Sequence, residues 1–547
     1  MPGPENPDSP SPFSEEEILI AKKLEDPKPR SIAAIDIGSN STHLLVASIN
    51  PILHTFSIEL AEKSTTRLGD REEGTRNLSD TSMDRVFETL KRFKELSQSY
   101  RVEKIVIAAT SAVRESPNGR QFLSEIKEKL SLEVDLVSGL EEARLIYLGV
   151  LSSMEFGDKP HLILDIGGGS TELILADGCD AKALTSTKIG AVRLQKEFIK
   201  EDPISIQSKE FLEAFIRGSL EPAVDKVLGR LRKDLNPVLV ATSGTAMAIG
   251  ALIANEDSSR PIKLHGYKVT IDQLEKLIQK LIKLPLEQRR KLTPLNERRA
   301  EIIIPGALIL HSAMKMLSVN EFTLCERALR EGLIFDWMMR NDLLRDRFSF
   351  QSSIRTRTVI HQVQRFAVDK QRAERVANFA LTLYDFTYGT LHTDQGEGRQ
   401  LLWAASMLHS CGQQINISAY HKHSWYLIRH GELLGYSDSE HLIIAAIARY
   451  HRRSLPKKRH ECWQALVKKE NRQLVFEMSL LLRMASAIDR RPDSAVNSIV
   501  VNTTPNELII KLIPQEEGKD LGLEKWSLNN CIDLFRENMP VKIIVLS

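Results

Sequence analysis

The chain has 547 residues, with 74 Lys and Arg against 72 Asp and Glu, for a net charge of +2. So even a balance carries no general bias toward polyanions. The five cysteines lie far apart with no CxxC pair, which indicates neither a zinc site nor a disulfide framework and fits a reducing cytoplasm. At roughly 150 residues per domain the length predicts three or four domains.

Residues 1–30 hold seven prolines and a mixed-charge stretch from Glu15 to Glu25, which predicts a disordered arm with one short helix and no secretory pattern. An apolar run, Ile32 to Ile37, then predicts a strand that ends in Asp36-Ile37-Gly38-Ser39-Asn40-Ser41-Thr42 and returns through Leu44 to Ala47 as a hairpin. A surface helix is expected within 75–100. Ile105 to Ala109 reads as a buried parallel strand whose carboxyl end carries Thr110-Ser111-Ala112-Val113-Arg114. Ligands of open α/β sheets bind beyond such strand ends, so Arg114 is a candidate phosphate ligand, with a plain surface arginine as the alternative. The run Ser138-Gly139-Leu140-Glu141-Glu142 opens another helix. Either glutamate can simply complement the helix dipole, or serve as the base that deprotonates water for phosphoanhydride hydrolysis.

Leu164-Asp165-Ile166-Gly167-Gly168-Gly169-Ser170-Thr171-Glu172 repeats the first turn. From Asp36 to Ala47, aligned on Asp165 to Ala176, seven of twelve positions are identical, which marks an internal duplication. Two matched strand-turn-strand units predict two similar α/β lobes facing a cleft, with glycines that let backbone amides approach phosphate and with Ser and Thr hydroxyls as further donors. Asp36 and Asp165 would hold a hydrated Mg²⁺ beside the phosphates, since carboxylates alone would repel them. Glu172 is a second candidate base. Val238 to Ala241 leads into Thr242-Ser243-Gly244-Thr245, a third phosphate-compatible strand end. The most apolar stretch, Ile302 to Leu317, is interrupted by Pro305, His311 and Lys315 and is too short to span a bilayer. Beyond a boundary near Leu343 to Ser352, helical periodicity dominates, with a small β-containing tail near 497–547.

Taken together, Asp-Ile-Gly-Ser-Asn-Ser, Ser-Gly-Leu-Glu-Glu-Ala-Arg, Asp-Ile-Gly-Gly-Gly-Ser-Thr-Glu, Ser-Gly-Thr and Ala-Leu-Arg-Glu-Gly, in this order, resemble the exopolyphosphatase and guanosine pentaphosphate phosphohydrolase family. The resemblance is strong over about residues 32–340 and weaker to about 490. It implies duplicated actin-like ATPase (ribonuclease H-like) lobes at 31–150 and 151–342, the last helix returning to the first lobe. A helical HD-like domain at 343–495 and a small α+β domain at 496–547 would follow. It implies an Mg²⁺-dependent enzyme that releases orthophosphate from the end of inorganic polyphosphate, with Glu142 as base and Asp165 and Glu172 around metal and water. Asp36, Ser39, Asn40, Ser41, Arg114, Gly167, Gly168, Gly169, Ser170, Thr171, Ser243, Gly244 and Thr245 are the expected binding groups, and Asp36 joins Asp165 and Glu172 as a metal ligand. A cytoplasmic homodimer with no specific nucleic-acid partner and no membrane segment is expected.

The HD-like pattern is degenerate: Arg372 stands where the first metal-binding His is required and Ser410 where its Asp is required, leaving His409 and Asp489, too few for a transition-metal site. Arg449, Arg452, Arg453, Lys457, Lys458 and Arg459 form a basic cluster that would steer a long polyanion, or else a solvated surface. The motifs do not separate polyphosphate from guanosine pentaphosphate (pppGpp). An actin-like-fold sugar kinase and a non-catalytic polyphosphate or nucleotide sensor are the readings from other classes.

Overall fold

The computed structural model describes residues 29–546 apart from 73–74, 158, 233–234, 258–262, 342, 345–353, 505–506 and 536–541. The N-terminal arm, its expected helix and most of the expected boundary near Leu343 to Ser352 lie outside the described residues. The chain divides into two compact units, Met1–Gly149 with Leu329–Phe350, and Val150–Ala328 with Gln351–Ser547.

The first unit is built on a sheet of order β3-β2-β1-β4-β5, from β1 (Arg30–Ile37), β2 (Thr42–Asn50), β3 (Thr55–Ser64), β4 (Lys104–Ala109) and the short β5 (Asp135–Leu136). β1 pairs antiparallel with β2 and parallel with β4. Alternate residues of β1, Ala33, Ile35 and Ile37, pack with Val86, Leu90 and Phe93 of the helix Asp80–Ser99 and Phe122 and Ile126 of the helix Gly119–Leu130 in one core. The expected Thr110-Ser111 loop is instead a single helical turn, Ser111–Arg114. Val113 and Ala112 are buried there, so the apolar positions of the turn close it onto the core.

The second unit repeats the pattern. Its sheet, β10-β11-β9-β6-β7-β8, comprises β6 (His161–Ile166), β7 (Thr171–Ala176), β8 (Ala181–Thr187), β9 (Val238–Thr242), β10 (Lys268–Thr270) and β11 (Glu321–Leu324). β6 is antiparallel to β7 and parallel to β9, which is in turn parallel to β11. The order β8-β7-β6-β9-β11 therefore matches β3-β2-β1-β4-β5, and the duplication extends from twelve residues to a whole sheet. Every residue of β6 and β7 is buried, as expected of a strand pair covered on both faces. The apolar stretch from Ile302 lies in the helix Glu297–Met316, which is buried in the core of this unit. Among the described residues no helix is long and apolar enough to cross a membrane.

The second unit continues into helices Ile354–Arg365, Lys370–Phe386, Glu397–Leu408, Tyr420–His430, Asp438–Tyr450 and Lys469–Ile488. A last sheet follows, β12 (Val496–Thr503), β13 (Glu507–Pro514) and β14 (Lys542–Leu546), with the helix Gly522–Phe535. In the first unit the helix Leu329–Arg340 starts at Leu329, so Arg330, Glu331 and Gly332 lie in its first turn.

Candidate active site

The two duplicated turns share one hydrogen-bond geometry. The Gly38 amide donates to the Ser41 carbonyl at 3.1 Å, and the Gly167 amide to the Ser170 carbonyl at 2.9 Å. In the first turn, the carbonyls of Ser39 and Asn40 accept from the amides of Gly69 (2.7 Å) and Arg67 (3.0 Å). In the second, the Gly167 carbonyl accepts from the Ala191 amide and the Gly168 carbonyl from the amides of Val192 and Arg193, each at 3.0 Å, while Arg193 Nε donates to the Gly169 carbonyl at 3.1 Å. Among the described residues the amides of Ser39, Asn40, Gly168 and Gly169 have no acceptor. Most carbonyls of both turns are thus occupied while these four amides face no acceptor, which is what an oxoanion site requires. Gly190 makes the second arrangement possible: a Cβ there would lie 2.5 Å from the Gly168 carbonyl atoms.

In the first unit Glu142 sits in the first turn of the helix Gly139–Leu151, 3.1 Å from Arg114 Nη1, which also donates to the Val137 carbonyl at 2.7 Å. Burial raises the Glu142 pKa, opposed by the Arg114 charge. Glu141 points elsewhere, paired with Arg144 at 2.7 Å, and Arg144 in turn with Asp336 at 2.8 Å. That separates the two candidate bases: Glu141 is a structural ion pair. Asp36 is half-buried and its pKa is raised to about 7, by desolvation first, then by the charge of Glu142 and, more weakly, Glu331, against Arg330. Its Oδ1 is buried with no hydrogen-bond partner. Ser39 and Ser111 hydroxyls lie 3.0 Å apart, joining the first turn to the helical turn that carries Arg114.

In the second unit Asp165 and Glu172 are directly opposed across β6 and β7, so both buried carboxylates lie on one face of the sheet. Glu172 accepts from Ser186 Oγ at 2.7 Å. Of the expected metal ligands Asp36 belongs to the first unit and Asp165 and Glu172 to the second, and among the described residues no group of three acidic, His or Cys side chains is placed to hold a metal ion. An Mg²⁺ that takes one or two carboxylates and completes its shell with water and phosphate needs no such cluster, and the opposed Asp165 and Glu172 carboxylates are of the hard oxygen type that would suit it.

One predicted hydroxyl donor is already committed: Thr171 Oγ1 donates to the Ile189 carbonyl at 2.7 Å. Ser243 Oγ accepts from the Thr245 amide at 3.2 Å, which leaves its own hydrogen to donate. The sequence reading missed Arg299. Its guanidinium lies over Gly244, where a Cβ would be 1.8 Å from Nη2, and Nη1 donates to Thr245 Oγ1 at 3.4 Å. No acidic side chain is paired with it among the described residues, and burial lowers its pKa, so it adds a weakly compensated cation to the third turn.

In the helical region Asp489 is bound by Arg372 (3.2 Å) and Arg375 (2.9 Å), and the His409 and His451 rings stack edge to face at 5.1 Å with their pKa values lowered by burial. The arginines occupy the carboxylate that a metal would need. Arg452, Arg453, Lys457, Lys458 and Arg459 are exposed in one loop, pinned where Arg483 donates to the carbonyls of Tyr450 (2.7 Å) and Arg453 (2.9 Å).

A duplicated α/β scaffold with donor-rich turns, buried carboxylates and an arginine-held glutamate defines a phosphoryl-handling enzyme. Residues 45–341 match the Ppx/GppA phosphatase family and residues 354–530 match Ppx/GppA phosphatase, domain III. The chain belongs to the Ppx/GppA phosphatase family. A crystal structure of the Aquifex aeolicus family member is 28% identical with a TM-score of 0.50, covering 57% of this chain and 99% of that one. An exopolyphosphatase from Cytophaga hutchinsonii is 24% identical with a TM-score of 0.53, covering 58% of this chain and 100% of that one, a likeness of fold.

Proposed function

We propose that the protein is an exopolyphosphatase, hydrolysing the terminal phosphoanhydride bond of inorganic polyphosphate. The observation that carries this reading is Glu142, a buried carboxylate whose affinity for protons is raised by burial and which Arg114 fixes in place. A carboxylate whose proton affinity is raised is a better acceptor for a proton taken from water. Water attacks the terminal phosphorus, its proton passes to Glu142, the bond to the bridging oxygen breaks, and orthophosphate leaves with the electron pair retained on the shortened chain. In the first unit the amides of Ser39 and Asn40 would hold phosphate oxygens with Arg114 as a cationic contact, and in the second the amides of Gly168 and Gly169 would do so with Arg299. Asp165 and Glu172, opposed across β6 and β7 of the second unit, would hold Mg²⁺, which supplies charge neutralisation at the phosphates.

Phosphate release measured side by side on long polyphosphate, short oligophosphates, pppGpp and ATP tests the reading. Release from polyphosphate is expected; release confined to pppGpp would make the protein a guanosine pentaphosphate 5′-phosphohydrolase with the same chemistry. Transfer to an alcohol acceptor, or binding without turnover, would overturn hydrolysis altogether.

A further inference from the structure

Glu432 lies between the helices Tyr420–His430 and Asp438–Tyr450, in the helical region, yet its carboxylate meets Arg327, which follows β11 of the sheet, at 2.5 Å. The Arg327 side chain is 4% exposed. Its Nη1 also reaches Ser152 Oγ at 3.4 Å. The Arg327 carbonyl accepts from Thr242 Oγ1 at 2.9 Å, and the same hydroxyl reaches the Cys325 carbonyl at 3.0 Å. Thr242 ends β9 and caps the helix Ser243–Glu256, whose first turn, Ser243-Gly244-Thr245, opens on Ser243 with a φ of +89°. Glu432 is itself held from behind: its carbonyl accepts from Gln362 Nε2 at 3.0 Å and Thr358 Oγ1 at 3.3 Å. The segment is docked at both sides, through Lys263 Nζ on the Gly431 carbonyl and the Gly435 amide on the Ser153 carbonyl at 3.0 Å.

A buried guanidinium that loses its carboxylate cannot stay where it is without cost, because few groups in the interior can replace the charge. Its own backbone carbonyl is one of two acceptors that fix the Thr242 hydroxyl, so displacement of Arg327 is passed to the residue that heads the turn. From this unbroken chain of contacts we infer that Glu432 is a positioning residue for the Ser243-Gly244-Thr245 turn, acting through Arg327 and Thr242. The helical region is then a working part of the phosphate site. The inference rests on the reading of that turn as phosphate-binding.

The test uses the full chain and two readouts, one of which needs no substrate. In Glu432→Ala, amide hydrogen exchange over residues 243–246 should quicken while the helix Lys469–Ile488 keeps its protection. With short polyphosphate the same variant should show KM raised about fivefold, the scale of one lost hydrogen bond, with kcat nearly unchanged. Glu432→Gln, which keeps an acceptor for Arg327, should recover most of both. In the background of Thr242→Val, Glu432→Ala should add little at the turn, because the link is already cut. Unchanged exchange at 243–246 in Glu432→Ala, or an effect that simply adds to that of Thr242→Val, overturns the inference. A loss of kcat with unchanged KM would mark a folding defect and overturn it too. Wild-type protein that releases no phosphate from any chain would sink the hydrolase reading, and the exchange result would still decide the positioning role.

Discussion

Arg114 Nη1 lies 3.1 Å from Glu142 Oε2 and 2.7 Å from the Val137 carbonyl, so one guanidinium joins the residue that would deprotonate water to the backbone just ahead of its helix. Glu142→Gln keeps the shape of the side chain and cannot take a proton. Phosphate release should fall by about 10² to 10⁴ with polyphosphate binding retained. A variant that keeps more than about a tenth of the wild-type rate would pass the role of base to Glu172.

The same pair sets the acid limb of the rate profile. Burial raises the Glu142 pKa and Arg114 opposes it, so Arg114→Met removes the opposing charge and raises that pKa further. The base is then protonated up to a higher pH, and the acid limb of kcat/KM should move upward. Arg114→Lys, which keeps a charge, should move it less. A limb that stays in place in both variants means that Glu142 does not govern it.

Asp165→Asn removes one negative charge from the Asp165 and Glu172 pair. The Mg²⁺ concentration for half-maximal activity should rise several-fold while the fold is retained. Titrating Mg²⁺ into chelator-treated protein checks this, and an unchanged requirement would give Asp165 a structural role.

Gly190→Ala would drive a Cβ to 2.5 Å from the carbonyl of Gly168, and backbone cannot swing aside as a long side chain can. Overpacking of this kind costs about 1–3 kcal/mol. A lowered midpoint in thermal unfolding together with weaker phosphate binding is expected; a variant with native midpoint and affinity would show that the second turn yields without consequence.

Neutralising Arg452, Arg453, Lys457 and Lys458 together should weaken binding of long polyphosphate and flatten its salt dependence, because fewer counterions are released. Short chains should be turned over as before. Equal losses on both substrates would point to a folding defect, and no loss on either would leave the loop as solvated surface.

The duplicated turns were legible because their residues are contiguous and local geometry follows from them: Gly38 and Gly167 make the same bond to Ser41 and Ser170. Strand order was legible only as a class, since pairing of β1 with β4 depends on contacts about 70 residues apart. The sequence could not separate Glu141 from Glu142, because what distinguishes them is Arg144 on one side and Arg114 on the other. Arg299 and Glu432 left no local signal at all: each acts on a turn far away in the chain, and only the folded backbone brings them to it. Thr171 misled for a related reason, its hydroxyl being spent on the Ile189 carbonyl.

Arg372 and Arg375 hold Asp489 with charges that are part of the chain. A guanidinium cannot be stripped by a chelator, exchanged for a wrong ion or lost when a cell runs short of a metal. The helical region is therefore expected to keep its fold in metal-starved conditions, and unfolding of its helices on chelation would overturn this. Placing a metal at Asp489 would require giving up two ion pairs at once, a change that no single substitution makes.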